Sequence, residues 1–413
     1  MKKGYLSQYF NGVAVKILSA VESDTITSNQ HEFNGVKDLK SILGEPKGKS
    51  SFRAKFLYVT DVEDNLIQDD GFLTWYDARE KAREERNVNR SEYRLYFSTN
   101  SVMQLARMGD FLFICRLNND LLLTIVAENG TTIAQQLAWL FGFHNFSKIG
   151  FLVRDELDKE GDRLEYTSRL ILESIGLSTE LTNQSFLADL LTKFPDGFPP
   201  TKVFSKYAVG TLSNTIMDCD FDDDDLLMKC LEREEILFRT LENYLIKQRL
   251  SDEFKDVDEF IAYSLSVHNR RKSRAGLSLE NHLETIFSNK KIFYTRNPTT
   301  ENKSKPDFIF PSINKYKDDK YDVACLTMLG VKSTCKDRWR QILSEAEKIN
   351  QKHLLSIEPA ISTNQTNEMK IKKVQLIIPK SLHNTYAEHQ QGWLMSVSEF
   401  TGMLLDKQKS INR

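Results

Sequence analysis

From Val323 to Val331 the chain is almost unbroken in its apolar character. Such a run fits a strand covered on both faces, in the middle of a sheet with helices packed against it. The next stretch, Lys332-Ser333-Thr334-Cys335-Lys336-Asp337-Arg338, is sharply polar. Trp339, Ile342, Leu343, Ala346 and Ile349 then supply the apolar side of a helix expected over Asp337–Lys352. Lys305–Phe310 reads as a short strand, and Val374–Pro379 as another that proline ends. Ser278 is placed to cap a helix bearing Leu279, Leu283, Ile286 and Phe287 on one face. The whole is an α/β pattern on a mixed sheet.

The first 175 residues read differently. Strands are expected at 54–59, 92–97, 111–115 and 121–126, with turn formers such as Asn100, Gly109 and Asn118 between them. This spacing suits an antiparallel sheet or barrel. Helices are expected near Thr132–Phe141 and around Thr74–Glu85. Residues 176–202 mix Gly, Ser, Thr, Asn and Pro and read as a linker between domains at 1–175 and 203–413. The acidic cluster Asp218–Asp225 is expected to be a solvated turn before a helix rather than a metal site. Further helices are expected at about 222–250 and 257–267. Gly44–Ser50 is one residue short of a phosphate-binding loop and has no βαβ context, so nucleotide binding is not expected.

The formal net charge is −2, so any contact with nucleic acid must rest on local basic patches. No apolar run reaches membrane-spanning length, Met1 is not followed by a secretory leader, and the five cysteines show no zinc or redox spacing. These features point to a soluble protein of a reducing cytoplasm.

Two carboxylates and a lysine suggest the chemistry. Magnesium takes one or two carboxylates and keeps several waters, and phosphodiester hydrolysis needs an activated water and neutralisation of developing charge. Asp307 and Glu345 can supply the carboxylates, and Lys332 can orient the water or stabilise the phosphate. Asp307 is expected on one strand, Lys332 at the end of its neighbour and Glu345 on the connecting helix, where Arg338 would share its face. Lys336-Asp337-Arg338 offers donor, acceptor, donor: guanine O6 and N7 accept from Lys or Arg, and cytosine N4 donates to a carboxylate. The alternative for this triplet is capping by Asp337 with two exposed cations. Arg270, Arg271, Lys272 and Arg274 suit phosphates better than bases. Period two would place Arg90, Glu92 and Arg94 on one strand face, again donor, acceptor, donor. A cross-strand ladder of ion pairs is the competing reading there.

Asn269–Gly276, Ser278-Leu279-Glu280, Lys305-Pro306-Asp307-Phe308 and Lys332–Leu343 closely resemble the EcoRII-type restriction endonucleases of the PD-(D/E)xK superfamily. The resemblance spans 257–390 and is weaker in the N-terminal half. It implies a C-terminal nuclease-like α/β domain and an N-terminal DNA-binding pseudobarrel. The usual pattern would put an acid at Gly330, two residues before the lysine, and this chain lacks it. The resemblance implies that the acid has moved to Glu345, so that Asp307, Lys332 and Glu345 match the catalytic positions. Glu280 matches a further active-site glutamate, and Tyr316 a tyrosine near the centre.

The triplet's match implies a CC·GG-containing target of the CCNGG kind, with the central base open. Arg90, Glu92 and Arg94, with His31 in a neighbouring loop, match effector-DNA contacts. The family further implies Mg2+-dependent cleavage to 5′-phosphate and 3′-hydroxyl ends, two or more bound target copies, a homodimer, autoinhibition by the N-terminal domain, a prokaryotic cytoplasm and a cognate DNA methyltransferase as genetic partner. The main rival class is a DNA-binding regulator with a degenerate nuclease core, and a second is a structure-selective nuclease such as a junction resolvase.

Overall fold

The computed structural model describes every residue except 1, 3, 25–30, 47, 63–65, 82–84, 86–89, 144–149, 178, 180–181, 217–220 and 412–413. The chain divides into two compact units. One is Met1–Ser178 with Ala360–Ser362, and the other is Thr179–Pro359 with Thr363–Arg413.

Unit 1 is built on an eight-stranded sheet. Its strands are β1 (Phe10–Ile17), β2 (Glu32–Asn34), β3 (Ser50–Val59), β4 (Ile67–Asp77), β5 (Tyr93–Phe97), β6 (Phe111–Leu117), β7 (Leu122–Ala127) and β8 (Leu152–Arg154), in the order β2-β5-β4-β3-β7-β6-β1-β8. Alternate residues of the central strands feed two cores. Val13, Val15, Phe113 and Ile125 pack with helices α1 (Thr132–Leu140) and α2 (Tyr166–Ser174). Ala14, Phe56, Ile114 and Val126 face a second core, which also takes Phe33 from edge strand β2 and Phe151 beside edge strand β8. The sheet therefore curls about that core with its two edge strands unpaired to each other. Helix α1 lies where the spacing of Ile133, Leu137 and Leu140 puts it. No helix begins at Thr74, because β4 continues to Asp77, with Leu73, Trp75 and Asp77 pointing inward at period two.

Unit 2 carries a five-stranded mixed sheet, β13-β12-β11-β10-β9: β9 (Thr295–Arg296), β10 (Phe308–Phe310), β11 (Thr327–Lys332), β12 (Lys352–Ser356) and β13 (Val374–Ile377). β10 runs antiparallel to β9 and β11, whereas β11, β12 and β13 are parallel. β11 is the covered strand foreseen from the apolar run, but the run's first residues, Val323–Cys325, make a 3-10 turn instead.

A helical layer flanks this sheet: α3 (Leu187–Lys193), α4 (Thr201–Ile216), α5 (Asp223–Ser251) and α6 (Val257–Asn289). Residues 183–200, linker-like in composition, belong to this layer, with Leu190 and Phe194 buried against Phe204 and Phe238. Ser278 caps nothing, since α6 runs through it. The basic stretch before it contains no proline, and Gly276 alone is too weak a breaker to stop a 33-residue helix.

The described part of the acidic cluster is not a solvated turn. Asp222 caps α5. Asp224 is buried and accepts from the backbone N–H groups of Lys380, Val397 and Ser398 at 2.9, 2.8 and 3.0 Å. It thereby satisfies the open N-terminus of the last helix, α7 (Val397–Ile411). Among the described residues no helix is long and apolar enough to cross a membrane.

Candidate active site

Asp307 stands at the mouth of β10, one residue before Phe308, which pairs with Leu329 of β11. That register brings the Asp307 carboxylate to the end of β11. Its Oδ2 accepts from Val331 N at 2.6 Å and lies 3.4 Å from Lys332 Nζ. Both side chains are largely covered. The strand pairing foreseen for Asp307 and Lys332 is therefore present.

Glu345 arrives by a different route from the one expected. The segment after β11 is a 3-10 helix over Lys336–Ser344, and Glu345 leaves it in extended conformation at φ −90°, ψ 144°. In a 3-10 helix residues three apart line up, so Lys336, Trp339, Ile342 and Glu345 share one line. Trp339 and Ile342 are fully buried, and the line they define carries Glu345 inward. Arg338 belongs to another line with exposed Gln341 and Ser344, so Arg338 and Glu345 do not share a face.

Oε2 of Glu345 is buried without a hydrogen-bond partner. Burial, and next the negative Asp307, push this carboxyl up to about 7, with Lys332 and Lys352 opposing. Glu280 on α6 is pushed upward by burial and then by Asp307, and is held back by Arg296. Asp307 thus acts electrostatically on both glutamates.

Arg296 of β9 is the hub behind Glu280. Its Nη2 donates to Glu280 at 2.9 Å, and its Nη1 donates to Asn281 Oδ1 at 2.8 Å and Glu284 at 2.9 Å. Sequence reasoning passed over Arg296. Its signal was an arginine eleven residues before Asp307, within reach of a neighbouring strand (307 − 296 = 11).

Tyr316 is buried, and its hydroxyl donates to both carboxylate oxygens of Glu301 at 2.8 and 2.7 Å and accepts from Lys348 N at 3.3 Å. Burial and then Glu301 raise its pKa. These bonds brace the loops around 301 and 348 rather than reach Asp307.

A divalent ion suits this arrangement. Two partly covered carboxylates, one with an orphaned buried oxygen, repel each other electrostatically, and a cation would relieve both. Among the described residues no group of three or more His, Cys, Asp or Glu has metal-holding geometry. Two carboxylates with waters completing the shell are the magnesium pattern.

The proposed DNA contacts divide. Lys336 opens the 3-10 helix at φ +34° and Arg338 is half-buried, while the Asp337 side chain lies outside the described residues. Arg274 turns inward, contrary to a phosphate-gripping role, whereas Arg271 stays partly exposed but is tied to α5. Arg271 pairs with Glu242 at 2.7 Å, and buried Arg274 pairs with Glu235 and lies 3.6 Å from Glu234. These pairs lock α6 to α5. Arg270 sits over the Phe198 ring at 5.1 Å, and Lys272 is exposed.

In unit 1, Glu92 is held between two arginines. Arg94 Nη2 donates to Oε1, and Arg79 Nε donates to Oε2 at 2.7 Å. Arg94, and then Arg79, hold its carboxyl below the usual range. Exposed Arg90 shares an open cleft with them, together with Lys37 and Lys40. Glu92 thus takes part in two ion pairs, one to Arg94 two residues on and one to Arg79, and β5 begins only at Tyr93. His31 is not brought to this cluster. Its ring lies 5.6 Å from Phe97, on the Phe33 side of the sheet, whereas Arg94 is paired with Asn34 on the other face.

Residues 238–401 match the model of the EcoRII C-terminal family. This stretch holds Glu280, Arg296, Asp307, Tyr316, Lys332 and Glu345. The chain is also similar to the type II restriction enzyme EcoRII of Escherichia coli, 38% identical over 243 residues. That match covers 57% of this chain and 58% of the relative, so the alignment spans little more than half of either protein. Among solved structures, metal-depleted Ecl18kI in complex with uncleaved, modified DNA overlaps at 16% identity and a TM-score of 0.44, covering 55% of this chain and 85% of that one. A PspGI–substrate DNA complex overlaps at 14% identity and a TM-score of 0.44, covering 52% and 94%.

Proposed function

We propose that the chain is a type II restriction endonuclease, with unit 2 hydrolysing double-stranded DNA at a CC·GG-containing site of the CCNGG kind in the presence of Mg2+. The observation that supports this is that Asp307 lies against Lys332 and acts electrostatically on Glu345, whose Oε2 is buried without a hydrogen-bond partner. Asp307 and Glu345 would hold the metal, which when bound supplies a Lewis acid for the phosphate and lowers the pKa of an attacking water. Lys332, steadied by Asp307, orients that water or offsets phosphate charge. Glu280, tethered by Arg296, supports the site from α6, and Tyr316 braces the loops beside it.

In the same reading Lys336, Asp337 and Arg338 read the G·C pairs, and Arg270 and Lys272 remain as phosphate contacts. The cleft at Arg90, Glu92 and Arg94 takes a second copy of the target as effector. Unit 1 restrains unit 2 until that copy binds, and a homodimer presents two half-sites of the target. A cognate methyltransferase would protect host DNA in the same cytoplasm.

The test is digestion of a plasmid of known sequence with and without Mg2+, with the cut ends mapped. Discrete fragments ending at one short motif are expected, and Lys332→Ala and Glu345→Ala should each abolish them while sequence-specific binding survives. Specific binding without any cleavage by the natural chain would establish a regulator with a degenerate core instead. Deleting residues 1–178 should raise cleavage of single-site DNA, and unchanged activity in a folded truncation would remove the restraint.

A further inference from the structure

We infer that Lys352 is a positioning residue for the metal site, a buried ammonium that latches the backbone on either side of the Glu345–Ala346 bond and so fixes where the Glu345 carboxylate points. This rests on the proposed reading of Glu345 as a metal ligand. Lys352 opens β12 and is 6% exposed. Its Nζ donates to the carbonyl of Glu345 and, at 2.7 Å, to that of Ala346.

The turn it grips is an unfavourable one. Glu345 leaves the 3-10 helix in extended conformation, and Ala346 follows at φ +48°. The left-handed region is unfavourable for a residue with a Cβ and persists only where the surroundings hold it. Ala346 is also fully buried, and its carbonyl further accepts from Ile349 N at 2.9 Å. The fold therefore commits a buried cation and a strained residue to the peptide unit next to the inward glutamate.

A lysine suits the task chemically. Its ammonium has three donors and no acceptor, so it can bind two carbonyls converging from one turn. Burial lowers its pKa, and Glu345, Glu301 and Glu347 pull the other way. The side chain also comes from a different strand from those bearing Asp307 and Lys332, so it fixes Glu345 against the sheet independently of them. Groups that orient metal ligands typically alter metal affinity by 10–100-fold when removed.

The test uses Mn2+, an octahedral oxygen-ligand ion like Mg2+, whose free signal is read by electron paramagnetic resonance. Titrations of the full chain without DNA compare the natural protein with Lys352→Met and Lys352→Gln. Lys352→Met is expected to weaken Mn2+ binding about tenfold or more, with sequence-specific DNA binding in EDTA unchanged. Lys352→Gln, which keeps an amide donor, should fall between and serves if the methionine variant does not fold. A merely structural lysine would move the melting temperature and DNA binding but not Mn2+ affinity at temperatures where the variant is folded. A folded variant with natural Mn2+ affinity overturns the latch alone. A natural protein that binds no Mn2+ overturns the latch together with the metal reading.

Discussion

Gly330 lies directly against Ile342: a Cβ built at position 330 would stand 2.6 Å from Cγ2 of Ile342. In the proposed reading, position 330 is where the PD-(D/E)xK pattern would carry an acid, and here the space beside it is filled, from outside the strand, by an isoleucine of the 3-10 helix. Ile342 sits three residues before Glu345 on the same line, so in the proposed reading the missing side chain at 330 lets the helix seat close enough to bring Glu345 in as the second acid. Restoring the familiar pattern with Gly330→Asp is expected to reduce cleavage, not improve it. Gly330→Ala alone should cost about 1–3 kcal/mol through overpacking, measured by urea denaturation. Ile342→Ala should relieve part of that cost in the double variant, and strict additivity would show that the two residues do not interfere.

Arg296 gathers Glu280, Asn281 and Glu284. Replacing it with methionine leaves those three groups without their shared donor, at about 1–3 kcal/mol for each group that water cannot reach. Single-turnover cleavage by Arg296→Met should fall at least tenfold while target binding in EDTA stays within about twofold, since the hydrogen bonds it removes lie behind the site. A matched loss of binding would place Arg296 in the DNA interface instead.

The carboxyl of Glu345 is raised to about 7, so metal binding in the proposed reading should depend on pH. Its folded-state pKa exceeds the ordinary carboxylate value, so between the two values the folded protein holds the extra proton. Without metal, the contribution of this group to stability therefore falls as pH rises toward 7. A divalent ion needs the deprotonated form. Added Mg2+ should raise the melting temperature more at pH 8 than at pH 6. Equal increments would mean that Glu345 does not titrate in this window or does not hold the ion.

In unit 1, Arg94→Ala should weaken binding of a target-bearing duplex by a Lys332→Ala protein about tenfold or more, as expected for one lost base contact. His31→Ala should act mainly on stability, because its ring packs toward Phe97. Fluorescence anisotropy with the single variants separates the two. A larger binding defect from His31→Ala would mean that the loop rearranges on DNA.

Much of this site could be read from the sequence because its parts sit at strand ends. The apolar run into Lys332 and the short apolar strand after Asp307 are natural neighbours, and β10 and β11 pair as such. What could not be read was decided by packing. The helix-forming composition of 336–344 favours an α-helix, but with Trp339 buried and Ile342 seated against Gly330 the segment is a 3-10 helix that ends before Glu345. β12 went unforeseen because Lys352 looks like a helix residue until its ammonium finds two carbonyls. Arg271 and Arg274 looked like DNA contacts because their acidic partners, Glu242 and Glu235, lie on the preceding helix, 29 and 39 residues away in sequence.

Lys332 and the Lys336–Arg338 triplet are separated by a single short bend at the end of β11. In the proposed reading this makes target choice and turnover mechanically inseparable. A base that displaces the triplet drags the catalytic lysine with it, so a mismatched site is rejected chiefly through lost rate and less through lost grip. Attempts to retarget such a protein by exchanging residues 336–338 will meet the same constraint: each new specificity must be found within a backbone already committed to aiming Lys332.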